Sequence, residues 1–249
     1  MITKNILISA FITLLLSSYL YAQEEKSFYT PNYSFKNISV NYLDWSTKTE
    51  NESPQKDFAY LEFEAGAGFD WGDFYMFLDI ENPTDSYTNT APHDLRFAFK
   101  PVLDIKIANS NWSYHIQDYS LTSDTFFVHN FINAIAYKYS TDGFWIRPFL
   151  GIHYQESTYY SGFNGYMFGW TFLYDFNINN ANFSIAQWHE NTFDRDKTDY
   201  KKDGFQGALS AWYKASDEIT MGLQYRYADQ NLGYDGYQDG IIYSLKYNF

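Results

Sequence analysis

Residues 165–176 read Gly-Tyr-Met-Phe-Gly-Trp-Thr-Phe-Leu-Tyr-Asp-Phe. Every second residue is aromatic, from Tyr166 to Phe176, and the residues between them include glycine, threonine and aspartate. In a helix these rings would be spread around the axis, whereas successive side chains of a strand point to opposite faces. The stretch therefore predicts a strand with one aromatic face.

The same alternation recurs from residue 37 to the end of the chain. It is plain at Met221–Ala228 and again at Ile241–Phe249, where aromatic or aliphatic residues alternate with smaller or polar ones. The pattern predicts about twelve strands, at residues 37–46, 58–69, 73–81, 94–106, 112–120, 126–139, 144–155, 165–176, 182–191, 205–214, 219–228 and 239–249.

The predicted connections alternate in length, apart from a short fifth connection near residues 121–125. In outer-membrane barrels, an even number of antiparallel strands is joined by tight periplasmic turns and longer outer loops. A soluble β-sandwich, the alternative, would show turns every ~8–12 residues without this alternation. The pattern predicts an all-β fold, a transmembrane antiparallel up-and-down β-barrel with both termini in the periplasm. The loops expected outside are 47–57, 82–93, 156–164, 192–204 and 229–238.

The start of the chain is typical of a secretory signal peptide. Lys4 precedes an apolar stretch from Ile6 to Leu16, and Leu20-Tyr21-Ala22 offers a small residue before a cut. The apolar stretch is shorter than the ~20 residues of a membrane-spanning helix. We predict a signal peptide at 1–22 and a single barrel domain at 23–249, exported to the outer membrane of a Gram-negative bacterium.

The end of the chain resembles the signal that the barrel-assembly machinery recognises. Phe249 is preceded at alternate positions by Tyr247, Leu245 and Tyr243. The expected macromolecular surroundings are therefore the barrel-assembly machinery and the lipids of the outer membrane.

The composition excludes several classes of protein. The 249 residues carry 17 Lys and Arg against 30 Asp and Glu, a formal charge of -13, which excludes a nucleic-acid binder that works through a basic surface. The chain has no cysteine, so disulfides, thiolate nucleophiles and cysteine-ligated metals are excluded. Aromatic residues make up 22% of the chain, yet its mean hydropathy is -0.44, as expected for strands with amphipathic rings at an interface.

Charged residues on the strands are expected to face the lumen. Arg or Lys facing lipid at the bilayer centre costs ~2–4 kcal/mol, and twelve strands enclose more space than the eight that side chains alone fill. Aromatic faces that stack a base, with carboxylates that bond sugar hydroxyls, would form a channel for small polar solutes. The predicted solute-binding, pore-lining residues are Tyr60, Glu62, Glu64, Asp79, Arg96, Lys100, Arg147 and Arg226.

Glu62 and Glu64 lie two residues apart on one predicted face. Their carboxylates would be about 7 Å apart and would repel each other unless Arg96 or another inward cation lay between them. The alternative function is structural: a plugged barrel in adhesion or envelope integrity, in which all lumen charges are paired.

An outer-membrane enzyme that modifies lipids is the less favoured alternative. Such lipases and deacylases share a His-x-Ser pair, in which the imidazole takes the hydroxyl proton. None of the five histidines has this context, as His93-Asp94-Leu95 and His189-Glu190-Asn191 illustrate. The acidic loop residues Asp194, Asp196 and Asp199 alternate with basic ones, which is typical of a solvated loop. We predict no catalytic residues, no metal and no cofactor.

Residues 59–79 read Ala-Tyr-Leu-Glu-Phe-Glu-Ala-Gly-Ala-Gly-Phe-Asp-Trp-Gly-Asp-Phe-Tyr-Met-Phe-Leu-Asp and resemble the second and third strands of the Tsx nucleoside-specific channels, with their OmpK relatives. The specific resemblance covers residues 37–81. It implies a monomeric twelve-stranded barrel with a narrow lumen for nucleosides. The matching positions are Tyr60, Leu61, Glu62, Glu64, Asp70, Trp71, Asp73, Phe74, Tyr75 and Asp79.

The chain also departs from the family pattern. Lys48-Thr49-Glu50 stands where the family has an Arg-Phe-Gly-like element, and Lys100 replaces an acidic residue before the proline of the fourth strand. The outer loops are also shorter than is typical. No solute contact of the family outside the matched segment is therefore carried over to this chain.

Overall fold

The computed structural model describes residues 27–87, 93–196 and 201–249. The predicted signal peptide lies outside the described residues, as do parts of the predicted loops 82–93 and 192–204. Residues 27–30 belong to a unit of their own, in which the N–H of Thr30 donates to the carbonyl of Ser27 at 2.8 Å. The barrel is formed by the second unit, Pro31–Phe249.

Twelve antiparallel strands form the wall of the barrel. Each pairs with its neighbours in chain order, and β12 pairs with β1 to close the sheet, with Val40 opposite Leu245. Closure leaves no unpaired edge, so the backbone of every strand is hydrogen-bonded within the wall. The strands are β1 Tyr33–Trp45, β2 Phe58–Phe69, β3 Gly72–Glu81, β4 Arg96–Lys106, β5 Trp112–Thr122, β6 Phe127–Tyr137 with its continuation Tyr139–Thr141, β7 Phe144–Ser157, β8 Ser161–Ile178, β9 Ala181–Phe193, β10 Gly204–Lys214, β11 Ile219–Asp229 and β12 Tyr237–Asn248.

The two ends of the barrel differ in their connections. At one end, here called the turn end, the strands are joined by short turns. The turn between β8 and β9 has Asn179 and Asn180 at φ 48° and 67°, the left-handed conformation that two-residue hairpins require and asparagine tolerates. The opposite end, here called the loop end, carries the longest connections, two short ones at residues 123–126 and 158–160, and the single described helix, α1 Thr47–Glu52.

The prediction of a twelve-stranded barrel is confirmed, and one predicted loop is wrong. Residues 156–164 are not a long loop, because β7 and β8 stay paired up to Glu156 and Ser161. The register shifts between Ile152 and Tyr154, and Gly165 has φ +83°, which a residue with a side chain rarely adopts. These irregularities interrupt the alternation by which the strand was recognised.

The aromatic face of β8 points outward, as predicted. Tyr166, Phe168 and Tyr174 expose 40%, 39% and 46% of their surface. The interior is also partly apolar. One inner cluster contains Ile132, Ala134, Ala136, Phe149 and Met167, and a second, towards the loop end, contains Leu43, Trp45, Tyr60 and Ile242. Within the described residues, no helix is long and apolar enough to cross a membrane.

Candidate functional site

The charged side chains of the strands meet inside the barrel, where all but one of the ion pairs join strands that are not neighbours; the exception, Arg96–Glu81, joins β4 to β3. Five ion pairs are formed: Arg96–Glu81 at 2.7 Å, Lys100–Glu190 at 2.6 Å, Lys138–Asp73 at 2.9 Å, Arg147–Asp104 and Lys246–Glu64. Most of the inward charge is therefore neutralised by a partner on another strand.

Glu190 on β9 connects opposite walls of the barrel. Lys100 is on β4, five strands away in a ring of twelve, so its ion pair with Glu190 crosses the interior. Gln117 donates to Oε1 of Glu190 at 2.7 Å, and Gln206 donates to Oε2 at 3.1 Å. Four strands thus meet at the carboxylate of Glu190, and only 4% of the surface of this residue is exposed. The crossing therefore places hydrogen-bonded side chains between opposite walls of the barrel.

Trp188 lies beside Glu190 on the same face of β9 and contacts two cations. The Lys100 ammonium is 5.2 Å from the ring centroid, and the Arg226 guanidinium is 4.8 Å away. Arg226 donates to the carbonyl of Gly207 and to Oε1 of Gln206, each at 2.9 Å. Among the described residues, no carboxylate forms an ion pair with Arg226. Arg226 therefore carries an uncompensated positive charge in the lumen.

Glu62 and Asp79 form an acidic pair without a basic partner in the part of the chain that the structure describes: their carboxyl groups are hydrogen-bonded to each other, so one of them holds the shared proton and the pair is not doubly ionised. They lie directly opposite each other on β2 and β3. Glu62 accepts a hydrogen bond from Oγ of Ser39 at 3.3 Å, but neither carboxylate forms an ion pair with any basic residue in the described ranges. Glu64, by contrast, pairs with Lys246 and accepts from the hydroxyl of Tyr75 at 2.7 Å. The cation near this predicted pair is therefore Lys246 and not Arg96, which pairs with Glu81.

The structure brings most of the predicted site residues together between the middle of the lumen and the loop end. Tyr60 lies within electrostatic range of Glu62, Asp79 and Arg226. Tyr119, which the sequence did not single out, lies within range of Asp79, Arg226 and Arg96. We refer to Tyr60, Glu62, Asp79, Tyr119, Trp188, Glu190 and Arg226 as the central site.

Arg147 is the predicted residue that lies elsewhere, in a cluster at the turn end. It pairs with Asp104, whose Oδ1 lies 2.9 Å from Nδ1 of His115 and accepts from Ser113 at 3.2 Å. Lys138 pairs with Asp73, and Asp73 also accepts from the hydroxyl of Tyr33 at 2.8 Å. Asp73 and Asp79 are six residues apart on β3, roughly 20 Å at ~3.3 Å per residue. We refer to Tyr33, Asp73, Asp104, Lys138 and Arg147 as the turn-end cluster.

Glu190, Trp188 and Tyr119 are the central residues that sequence reasoning missed. On β9 both faces carry rings and polar groups, since Gln187 and His189 alternate with Trp188 and Glu190. Trp170 and Tyr227 bond Gln187 on the opposite face, at 3.2 and 3.0 Å. Alternation alone does not decide which of two such faces is inside. The ion pair between Glu190 and Lys100, which lies on the opposite wall of the barrel, shows that the face with Trp188 and Glu190 is the inner one.

A comparison with known proteins gives the family. The family described as "Nucleoside-specific channel-forming protein, Tsx" matches residues 40–249. The chain belongs to the Tsx family. It is an outer-membrane channel of the Gram-negative type for small solutes such as nucleosides. Membership of a family of channels favours transport over the enzymatic alternative.

Two porins of solved structure are also similar to this Tsx-family chain. The KdgM porin matches with 9% sequence identity and a TM-score of 0.49, over 87% of this chain and 99% of that one. The NanC porin matches with 15% identity and a TM-score of 0.48, over 85% of this chain and 98% of that one.

Proposed function

We propose that the central site binds the solute as it crosses the barrel. The observation that carries the proposal is the charge imbalance of this level of the lumen. Glu62, Asp79 and Arg226 remain outside ion pairs in the described part of the chain, while five other basic residues of the lumen each have a carboxylate partner. Charged groups without a partner are costly to hold away from water, so they are expected to face water or solute.

The chemistry of these groups suits a nucleoside. Glu62 and Asp79 share one hydrogen bond, and their remaining carboxyl oxygens, Oδ1 of Asp79 among them, can accept from the ribose hydroxyls. Arg226 donates only, and the carbonyl and ring-nitrogen acceptors of a base can receive its N–H groups. Tyr60 and Trp188 offer ring faces, and stacking on an aromatic side chain contributes ~1–3 kcal/mol per base. A sugar would gain the carboxylate contacts without the stacking.

Single-channel recording in a planar bilayer tests this function. Purified protein should give discrete conductance steps, and nucleosides such as uridine should block the current at lower concentration than glucose or neutral amino acids. A barrel without conductance steps would support the alternative function, in which the lumen is plugged and the protein serves adhesion or envelope integrity. Equal block by uridine and glucose would show that stacking of the base does not contribute to binding.

We further propose that residues 1–22 are removed on export and that the mature barrel acts as a monomer among outer-membrane lipids, after insertion by the assembly machinery through the strand that ends at Phe249. In this topology the turn end faces the periplasm. Cysteines placed at 142 or 217 should resist a membrane-impermeant label on intact cells, whereas one at 202 should react. Labelling at 142 or 217 would reverse the topology.

A further inference from the structure

The turn-end cluster borders a cavity that the central site does not share. The cavity has a volume of about 270 Å³ and lies where β1 to β7 end or begin. A site of this volume has room for several water molecules and suits a small organic solute. The lining residues that matter here are Tyr33, Asp73, Asp104, Lys106, Lys138 and Arg147.

The charges around this cavity do not cancel. Asp73 is paired with Lys138 and Asp104 with Arg147. Lys106 donates instead to the backbone carbonyl of Asp70, at 3.0 Å, and forms no ion pair with any of the described carboxylates. The wall of the cavity therefore carries one surplus positive charge, which is the opposite of the protein's overall acidic balance of -13.

The hydrogen-bonding capacity is unbalanced in the same direction. The two carboxylates are largely used: Asp73 contacts Tyr33 and Lys138, and Asp104 contacts Ser113, His115 and Arg147. The cations retain donors, because an ammonium has three N–H groups and a guanidinium has five. Lys138 gives one hydrogen bond to Asp73, and Arg147 forms its ion pair with Asp104 and contacts the Trp145 ring. A ligand rich in acceptors would satisfy the remaining donors.

Aromatic rings hold these cations in place at the cavity wall. The Lys138 ammonium lies 5.7 Å from the Tyr33 ring and 5.8 Å from the Trp145 ring, and the Arg147 guanidinium lies 5.9 Å from Trp145. Gly68 makes room for Tyr33, since a Cβ at that position would overlap the tyrosine ring. The cations are thus pre-positioned before a ligand arrives, which lowers the entropic cost of binding it.

We propose that the turn-end cavity is a second binding station, which takes a small solute carrying one anionic group, either a carboxylate or a phosphate monoester. It lies roughly 20 Å along β3 from the central site, so one small solute does not occupy both. The proposal rests on the proposed function in one respect: solute must reach this end of the barrel through the lumen or from the solution on that side.

Three probes with one scaffold test the station: glucose, glucuronate and glucose 6-phosphate. Each is titrated against the purified barrel in detergent by calorimetry and against single channels from each side of the bilayer. Both anions should bind at least about tenfold more tightly than glucose, as expected for charge-assisted hydrogen bonds. If only one of the two anions binds more tightly than glucose, the result shows whether the station prefers a carboxylate or a phosphate, and the proposal is supported. Equal binding of all three would overturn it.

Lys138→Gln is the diagnostic variant, and Lys214→Gln is its matched control. Lys214 is the last residue of β10 at the turn end, does not line the cavity, and pairs with the exposed Asp217. The advantage of the anions should fall about tenfold in Lys138→Gln and persist in Lys214→Gln. The double variant Asp73→Asn with Lys138→Gln removes the pair without leaving an unpaired carboxylate, and keeps the test readable if the single variant folds poorly. The same loss of anion binding in Lys214→Gln would show that the anions respond to the overall electrostatic potential of the turn end, and it would overturn the station.

The outcomes of this experiment and of the nucleoside recording are separable. Absence of conductance with retained anion binding in calorimetry would reject the proposed channel function but keep the station. Block by uridine with equal binding of glucose, glucuronate and glucose 6-phosphate would keep the channel and reject the station.

Discussion

The central site and the turn-end cluster use the same kinds of side chains in different balance. At the turn end, Asp73 and Asp104 each have a basic partner on another strand, and the surplus is one positive charge. At the centre, Glu62 and Asp79 have no such partner, and Arg226 contacts carbonyl and amide oxygens. Pairing therefore cannot be inferred from residue type, since a carboxylate two residues from Glu62 is paired and Glu62 is not.

This difference separates the paired charges, which hold the walls of the barrel together, from the charges outside ion pairs, which we expect to face the solute. Pairs such as Asp104–Arg147 join β4 to β7, and Lys100–Glu190 joins β4 to β9, so they connect walls that the backbone ladder does not bring together. Breaking a buried pair leaves a charge without compensation and is strongly destabilising. Changing an unpaired carboxylate to its amide removes charge without that penalty. Variants of the two classes should therefore fail in different measurements.

The largest expected effect is on stability, from Glu190→Gln. This change leaves Lys100 without its carboxylate at a nearly dry position and should lower the free energy of unfolding by ~3–5 kcal/mol. Urea unfolding in micelles, followed by tryptophan fluorescence, measures it. The double variant Glu190→Gln with Lys100→Met should recover much of the loss, because the unpaired cation is gone. A single variant as stable as the parent would show that the cross-lumen pair does not hold the walls together.

The second effect is on solute recognition, from Glu62→Gln with Asp79→Asn. Loss of hydrogen bonds to charged groups, at ~1.5–3 kcal/mol each, should weaken uridine block at least about tenfold and lower the cation selectivity. The urea midpoint should stay where it is. Glu64→Gln is the matched control: it breaks the pair with Lys246, so it should lower the urea midpoint more than it weakens the block. If Glu64→Gln weakened the block more than the Glu62 and Asp79 double variant did, the solute contact would belong to Glu64 and not to Glu62.

A third, smaller effect distinguishes two of the tryptophans that lie under cations, Trp188 and Trp145. Trp188→Leu at the centre and Trp145→Leu at the turn end should each cost ~0.5–2 kcal/mol of stability through lost cation–π contacts. Only Trp188→Leu should weaken uridine block, by several-fold, because stacking contributes ~1–3 kcal/mol per base. If both variants weaken the block equally, the nucleoside is not held at the centre.

Local alternation in the sequence predicted the wall well, because a strand exposed to lipid on one face must repeat with a period of two. It placed β8 and located Glu62, Asp79 and Arg226 on the inner face. It did not predict which charges are paired, since Lys246–Glu64 and Lys100–Glu190 join residues far apart in the chain. It also missed Glu190, whose strand has polar and aromatic residues on both faces. The alternation gave no sign that Arg147 lies apart from the other predicted residues, because that separation depends on the position of each residue along its strand.

The smallest expected effect concerns an exposed ion pair, Lys214–Asp217 at 2.9 Å, in contrast to the enclosed Lys138–Asp73 pair of equal length. The hydrogen bond and charge of Lys214 lower the pKa of Asp217, which lies in a turn outside the membrane-spanning strands. A carboxyl whose folded pKa is lowered contributes stability above its ordinary pKa of 3.8, and that contribution is lost as pH falls through the folded value. Water and salt screen an exposed pair, so Asp217→Asn should move the urea midpoint only slightly near neutral pH, and the difference from the parent should vanish in strong acid. Lys214→Gln should cause the same small change, and the double variant should add nothing to either. A loss at neutral pH as large as that of Asp73→Asn would mean that exposure does not separate the two pairs, and the distinction between enclosed and exposed charge at the turn end would have to be abandoned.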